Sequence, residues 1–175
     1  MQYTSTYKSS VGKLLLTADN IGLTGLWIEN EKYHPLNLNT EYQEKEVSVF
    51  AETKRWLDIY FSGKEPDFMP DIHMVGTEFQ KEVWEILLTI PYGKTITYGE
   101  IANQIAKSRG ILRMSAQAVG GAVGRNKLSI IIPCHRVVGT KGNLTGYAGG
   151  IDKKIMLLKL ENTFRDDFFI PNHRA

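Results

Sequence analysis

Cysteine is nearly absent from this chain. Cys134 is the only one, so neither an internal disulfide nor a multi-cysteine zinc site is possible. Proline is sparse, with six residues, and there is no Gly-X-Y period or low-complexity stretch, which excludes collagen-like and Pro-rich architectures. No run approaches the ~20 apolar residues of a membrane span. The opening Met1-Gln2-Tyr3-Thr4-Ser5-Thr6 lacks a basic stretch followed by an apolar core, so no secretory signal is expected. A lone thiol without such a signal points to a reducing, cytoplasmic compartment. The 175 residues, 42% hydrophobic and 23% charged, suit one globular domain or two small ones.

The formal net charge of +2 conceals a segregation. Residues 1–90 hold 8 Lys/Arg against 14 Asp/Glu, and residues 91–175 hold 13 against 5. A half-chain with a net +8 reads as a polyanion-binding surface, because neutralising phosphates releases counterions. Two solvated faces of one domain would give the same count.

The first thirty residues read as a β-meander: residues 2–9, 13–17 and 23–28, with Asp19-Asn20-Ile21-Gly22 as a turn signal. Residues 30–43 read as a polar loop. Residues 44–61 carry Val47, Phe50, Leu57 and Phe61 at helical spacing and stop at Ser62-Gly63. Residues 66–70 are the best linker, so we expect a small α/β domain over 1–75 and a second domain over 76–175.

The second half reads mainly as helices. Thr77-Glu78-Phe79-Gln80 and Thr97-Tyr98-Gly99-Glu100 are capping-box patterns. The first opens a helix through Phe79, Val83, Ile86, Leu87 and Ile90 that ends at Pro91; the second opens a short helix with Ile101, Ala102 and Ile105. Ser115 caps a third segment, residues 116–123, whose Ala116, Ala118, Gly120, Gly121 and Ala122 are poor helix material, since each Gly costs roughly 1 kcal/mol against Ala. A helix that keeps such residues usually has something approaching its backbone closely. Two short helices in succession within a basic region predict a helix-turn-helix. A buried strand over 128–132, a hairpin over 139–143 as a wing, and a last helix over 152–161 complete the pattern. In the tail, residues 162–175, Phe164, Phe168 and Phe169 are expected to pack.

Pro133-Cys134-His135-Arg136 follows the apolar run. An imidazole and a guanidinium can both lower a thiol pKa, and the thiolate is the nucleophile. Neighbours on an extended chain point in opposite directions, so adjacency alone leaves two readings, a packed thiol or a catalyst.

The string Ile132-Pro133-Cys134-His135-Arg136-Val137-Val138, with Gly146-Tyr147-Ala148-Gly149-Gly150 and residues 154–161, resembles the O6-alkylguanine-DNA alkyltransferase family. The resemblance extends back through Ile90-Pro91-Tyr92-Gly93 and Thr97-Tyr98, covering roughly residues 75–162. It implies a ribonuclease H-like α/β N-terminal domain followed by a mainly α winged helix-turn-helix domain. It further implies repair by direct reversal. The protein would bind duplex DNA carrying O6-alkylguanine through the minor groove, flip the damaged base, and transfer the alkyl group irreversibly to Cys134, as a monomer and without cofactor. O4-alkylthymine is a further possible substrate. A prokaryotic source would place the protein at the nucleoid.

By the same resemblance Glu161 orients His135, which deprotonates Cys134 through a water. Tyr98 bonds the flipped guanine, and Asn126 is the hinge between recognition helix and active-site strand. Tyr147 and Ala148 lid the pocket, and the carbonyls of Cys134 and Val137 accept from the exocyclic amine. Arg136 lines the site and braces the junction between the domains. Ser115, Ala116, Gln117, Ala118, Gly120 and Gly121 face DNA, with Arg113 and Arg125 beside them. Gln117 is a departure, since the family usually has arginine there to fill the gap left by the extruded base. The longer turn over 107–114 is another, bringing Lys107, Arg109 and Arg113 as candidate phosphate contacts. Some relatives hold a structural zinc in the N-terminal domain; with only His34 and His73 before Cys134, no metal is expected. Non-catalytic lesion sensors of the alkyltransferase-like group lack the reactive cysteine that this chain has. A cysteine hydrolase would need an oxyanion hole for which the sequence gives no sign. A winged-helix transcription factor with a redox thiol remains open.

Overall fold

The computed structural model describes residues 1–35 and 41–171, and the chain forms two compact units. The first comprises Met1–Val75 together with Lys127–Ile131, and the second Gly76–Asn126 together with Ile132–Ala175.

In the first unit, β1 (Gln2–Ser9), β2 (Gly12–Ala18) and β3 (Leu23–Ile28) form the antiparallel meander. Tyr42–Glu44 adds a fourth strand, β4, parallel to β1, giving the order β3-β2-β1-β4. The polar loop expected over 30–43 is corrected by this strand; a three-residue strand with a non-local parallel partner carries no local signal. Residues 36–40 of that loop lie outside the described residues. Period-2 alternation buries Leu14, Leu16 and Ala18 of β2, and α1 (Ser48–Phe61) contributes Phe50, Thr53, Leu57 and Tyr60 at helical spacing. The turn between β2 and β3 is closed by the Asp19 carboxylate, which accepts the N–H groups of Ile21 and Gly22. A Cβ on Gly22 would lie 2.7 Å from the Asp71 carbonyl oxygen, so only glycine lets that later segment run beside β3.

In the second unit, α2 (Glu78–Leu88) and α3 (Tyr98–Arg109) each begin with a complete capping box, on Thr77/Gln80 and Thr97/Glu100. α4 (Ala116–Gly124) is capped by Ser115, whose hydroxyl accepts the Ala118 N–H. α3 and α4 pack as a helix pair, and Trp84 of α2 donates its indole N–H to the Ala122 carbonyl at 2.9 Å. The buried stripe of α2 is Val83, Trp84 and Leu87, while Phe79 and Ile86 are only half-buried. β5 (Ile96–Thr97) pairs parallel with β6 (Val137–Val138), and α5 (Ile151–Leu160) follows.

Two local expectations are corrected. Residues 128–132 are buried but do not form a strand. Leu128 makes a single bridge to Leu26, and the backbone then turns through Ile130 at φ 73°. The loop after β6 is a 3-10 turn, Thr140–Gly142, closed by the Gly139 N–H on the Asn143 carbonyl; the following Leu144 N–H bonds Phe169 of the tail rather than forming a β-hairpin wing. Phe168 is buried with Val138, Leu144 and Leu158, Phe164 packs partly against them, and Phe169 is largely exposed. Among the described residues no helix is long and apolar enough to cross a membrane.

Candidate active site

Pro133 interrupts the apolar run, and the next three residues, Cys134–Arg136, wind into one 3-10 turn rather than an extended chain. The turn starts with the Cys134 N–H bonded to the Ile132 carbonyl at 2.8 Å. The same carbonyl accepts the Asn126 side-chain amide at 2.8 Å. Asn126, buried just past the end of α4, thus fastens the helix-turn-helix to the residue two before the thiol.

Cys134 is 5% exposed and His135 fully buried. The His135 Nε2–H donates to Glu161 Oε2, and Arg136 Nε donates to Glu161 Oε1 at 2.7 Å. Burial alone would raise the Glu161 pKa, but His135 and Arg136 outweigh it and hold the carboxyl down to about 2. Burial pushes the His135 imidazole down against the pull of Glu161, and Arg136 and Lys154 add to the downward shift. The pair is therefore a neutral imidazole against an ionised carboxylate. With Nε2–H committed to Glu161, Nδ1 is the basic atom of the ring.

Arg136 also donates Nη1 to the Ile90 carbonyl at 2.8 Å and lies over the Tyr92 ring. Glu161, Ile90 and Tyr92 all belong to the second unit.

Lys154 is a site residue absent from the expectations above, although the sequence carries a signal for it. Lys154, Leu157, Leu158 and Glu161 stand at i, i+3, i+4 and i+7, which places two charges on the buried stripe at the end of the chain's last helix. Its ammonium is fully buried and donates to the Val137 carbonyl at 2.5 Å and the Thr145 carbonyl at 3.4 Å. Burial lowers its pKa to about 8, against an upward pull from the Cys134 thiolate. Lys154 is thus a cation placed to favour the ionised sulfur.

Tyr98, the first residue of α3, is half-buried, and its hydroxyl donates to the carbonyls of Thr145 (3.1 Å) and Gly146 (3.2 Å). Burial and the nearby Cys134 push the phenol up to about 12, so it is a donor throughout the neutral range. Gly146 has φ 69°, and a Cβ there would come within 3.4 Å of the Tyr98 oxygen. Tyr147 and Ala148 follow on this loop, both half-buried, and Val137 is fully buried.

On α4, Ala116, Gln117, Ala118 and Gly121 are exposed together with the cap Ser115, and a Cβ added at Gly121 would meet nothing within 4 Å. Gly120 is half-buried against the Tyr98 ring, to which its Cβ would come at 3.7 Å. Arg113 and Arg125, flanking α4, are both exposed. Lys107 and Arg109 fall in the last turn of α3, so the connection to α4 starts only at Gly110. The Arg109 guanidinium is bonded to Glu82 at 2.5 Å.

Residues 78–163 match the family described as 6-O-methylguanine DNA methyltransferase, DNA binding domain, and residues 2–70 match its ribonuclease-like domain. The methylated-DNA–protein-cysteine methyltransferase of Mycobacterium leprae is 43% identical over 153 residues, covering 87% of this chain and 88% of that protein. The one from Methanosarcina acetivorans is 39% identical, covering 92% and 99%. Among solved structures, Mycobacterium tuberculosis OGT in complex with DNA superposes with a TM-score of 0.79 at 41% identity, covering 92% of this chain and 93% of that one. This chain belongs to the 6-O-methylguanine DNA methyltransferase family: a ribonuclease-like α/β domain followed by a helix-turn-helix DNA-binding domain.

Proposed function

We propose that this protein repairs DNA by moving the alkyl group of O6-alkylguanine onto Cys134. The observation that carries this reading is the buried Cys134–His135–Glu161 arrangement at the foot of a helix-turn-helix. His135 Nδ1 takes the thiol proton, directly or through one water, and Glu161 stabilises the imidazolium that results. The thiolate attacks the alkyl carbon in line. A C–S bond forms, the C–O6 bond breaks, and its electron pair leaves with the guanine. Tyr98 exchanges its bonds to the Thr145 and Gly146 carbonyls for the departing base, which it helps to neutralise. The carbonyls of Cys134 and Val137 accept from the exocyclic amine, and the Ala148 N–H bonds the guanine oxygen. Lys154 on the Val137 carbonyl leaves that oxygen a second lone pair for the base.

Because the base must leave the stack, α4 enters the minor groove with Gln117 at the vacated space, and its small residues let it approach closely. Residues 76–175 carry recognition and chemistry, and residues 1–75 form the supporting domain. The protein acts as a monomer in the cytoplasm, at the nucleoid in a prokaryotic cell.

Incubation with duplex DNA carrying O6-methylguanine should add about 14 Da, one methyl for one proton, to Cys134 and then stop. Cys134→Ala should bind the same DNA and gain no mass. Sustained turnover, or methyl transfer by the alanine variant, would falsify the reading.

A further inference from the structure

Residues 127–131 lie between two stretches of the second unit in sequence, yet they cluster with the first. β3 holds them by backbone bonds: Leu26 N–H to the Lys127 carbonyl at 2.8 Å, and Ser129 N–H to the Leu26 carbonyl at 3.0 Å. Beyond Ser129 the chain turns through Ile130 at φ 73°, a left-handed conformation that is rare for a β-branched residue and persists only where the surroundings impose it. Four residues after Ile130 stands the nucleophile.

The side-chain hold on this segment comes from Glu31. Its Oε2 accepts the Ile28 N–H at 2.8 Å, while its own N–H bonds the Ile28 carbonyl at 3.0 Å, closing a turn through Asn30 at φ 65°. The Ser129 hydroxyl donates to both carboxylate oxygens, at 3.1 and 3.2 Å. Glu31 is 4% exposed and Ser129 2%, and burial pushes the Glu31 carboxyl up to about 7 against the pull of these donors. Both donors are neutral groups. A carboxylate kept inside on such partners is an expensive way to fill space and an effective way to fix a neighbour's position. From Ser129 the bonds continue toward the thiol: Ile131 N–H to the Ser129 carbonyl at 2.9 Å, then Cys134 N–H to the Ile132 carbonyl.

We infer that Glu31 is a positioning residue for the alkyl transfer: through Ser129 it clamps the strained turn at Ile130 and so fixes the backbone entering Cys134. This rests on the alkyl-transfer reading above. The test uses the full-length protein and O6-benzylguanine as free base, so that DNA binding and base flipping do not enter. Ser129→Ala removes the donor with almost no change in volume. It should lower the maximal rate of Cys134 benzylation about tenfold while the half-saturating concentration stays within about twofold, as for a displaced nucleophile rather than a lost contact. Amide exchange should accelerate in residues 127–134 and not in α5. Glu31→Gln retains one oxygen that can accept from both Ile28 and Ser129, and should keep the rate within about threefold of the parent.

Unchanged exchange in Ser129→Ala shows that no clamp exists. Faster exchange with an unchanged rate makes the clamp structural only. A Glu31→Gln rate as low as that of Ser129→Ala would also overturn the inference, since the retained acceptor should rescue. If the parent protein takes up no benzyl group, the alkyl-transfer reading fails and this inference with it, while the exchange measurement still reports whether the clamp exists.

Discussion

Glu161 is 2% exposed and lies between an imidazole and a guanidinium, so its ionised form is favoured in the fold by partners that the unfolded chain lacks. Its folded pKa, about 2, lies below the ordinary 4.5. A depressed carboxyl pKa contributes stability that is fully present above the unfolded value and is lost as pH falls from 4.5 toward 2. Glu161→Gln should therefore destabilise the protein at pH 7 by roughly 3 kcal/mol, the scale of breaking a buried ion pair. The gap from wild type should close as the pH is lowered through that window, as measured by urea unfolding at several pH values. Benzylation of Cys134 should slow by about 10²-fold, because the imidazole loses the group that orients it. A constant gap in stability from pH 7 to pH 3 would show that the carboxylate charge is not what matters. At this scale the sequence was legible where residues sit in one string, as with Cys134, His135 and Arg136. It was not legible where the partner is remote. Arg109 and Glu82 are 27 positions apart, and nothing local in either announces their ion pair. The Glu31–Ser129 contact spans 98 positions and was equally invisible.

The helices were read correctly where their signals are local. Thr77, Thr97 and Ser115 each cap the helix they were expected to cap, because a hydroxyl two or three residues before free N–H groups is a short-range device. Residues 128–132 depart from the expected strand because an apolar run reports burial, not conformation, and the left-handed Ile130 is set by tertiary contacts. On α4 the exposed Gln117 sits one turn ahead of Gly120 and Gly121, on a helix stripped of bulk. Flipping a base costs a few kcal/mol, offset in part by whatever fills the vacated space. A shorter neutral glutamine fills it less well than an arginine and adds no charge in the groove. Gln117→Arg should tighten duplex binding and speed duplex repair, and Gln117→Ala should slow duplex repair by roughly 1–2 kcal/mol. Neither should change the reaction with free O6-benzylguanine, so the ratio of duplex to free-base rates is the measurement. Wild-type duplex repair by Gln117→Ala would move the wedge elsewhere, with Met114 and Arg113 the next candidates.

Across the whole molecule the charge is divided by sequence, net −6 over residues 1–90 and +8 over residues 91–175. The formal excess overstates what DNA can meet. Arg136 and Lys154 are buried and bonded within the site, Arg109 is paired with Glu82, and Arg165 lies 3.3 Å from Asp167. Arg113, Arg125, Lys107 and Lys141 are exposed, and the first two flank α4. Each phosphate neutralised contributes about −0.9 to the slope of log K against log salt. Duplex affinity should therefore fall steeply with salt, but with a slope shallower than thirteen cations would give. Arg113→Ala should weaken binding to all sequences alike and reduce the slope by about 0.9, since a lost phosphate contact releases fewer counterions. Arg109→Ala removes an ion pair internal to the protein and should leave the slope unchanged, with at most a small change in stability of the kind an exposed pair contributes. Fluorescence anisotropy on an unmodified duplex across a salt series distinguishes the two. If Arg109→Ala flattens the slope as much as Arg113→Ala does, Glu82 releases Arg109 on binding, and the basic surface extends from α4 back to the end of α3.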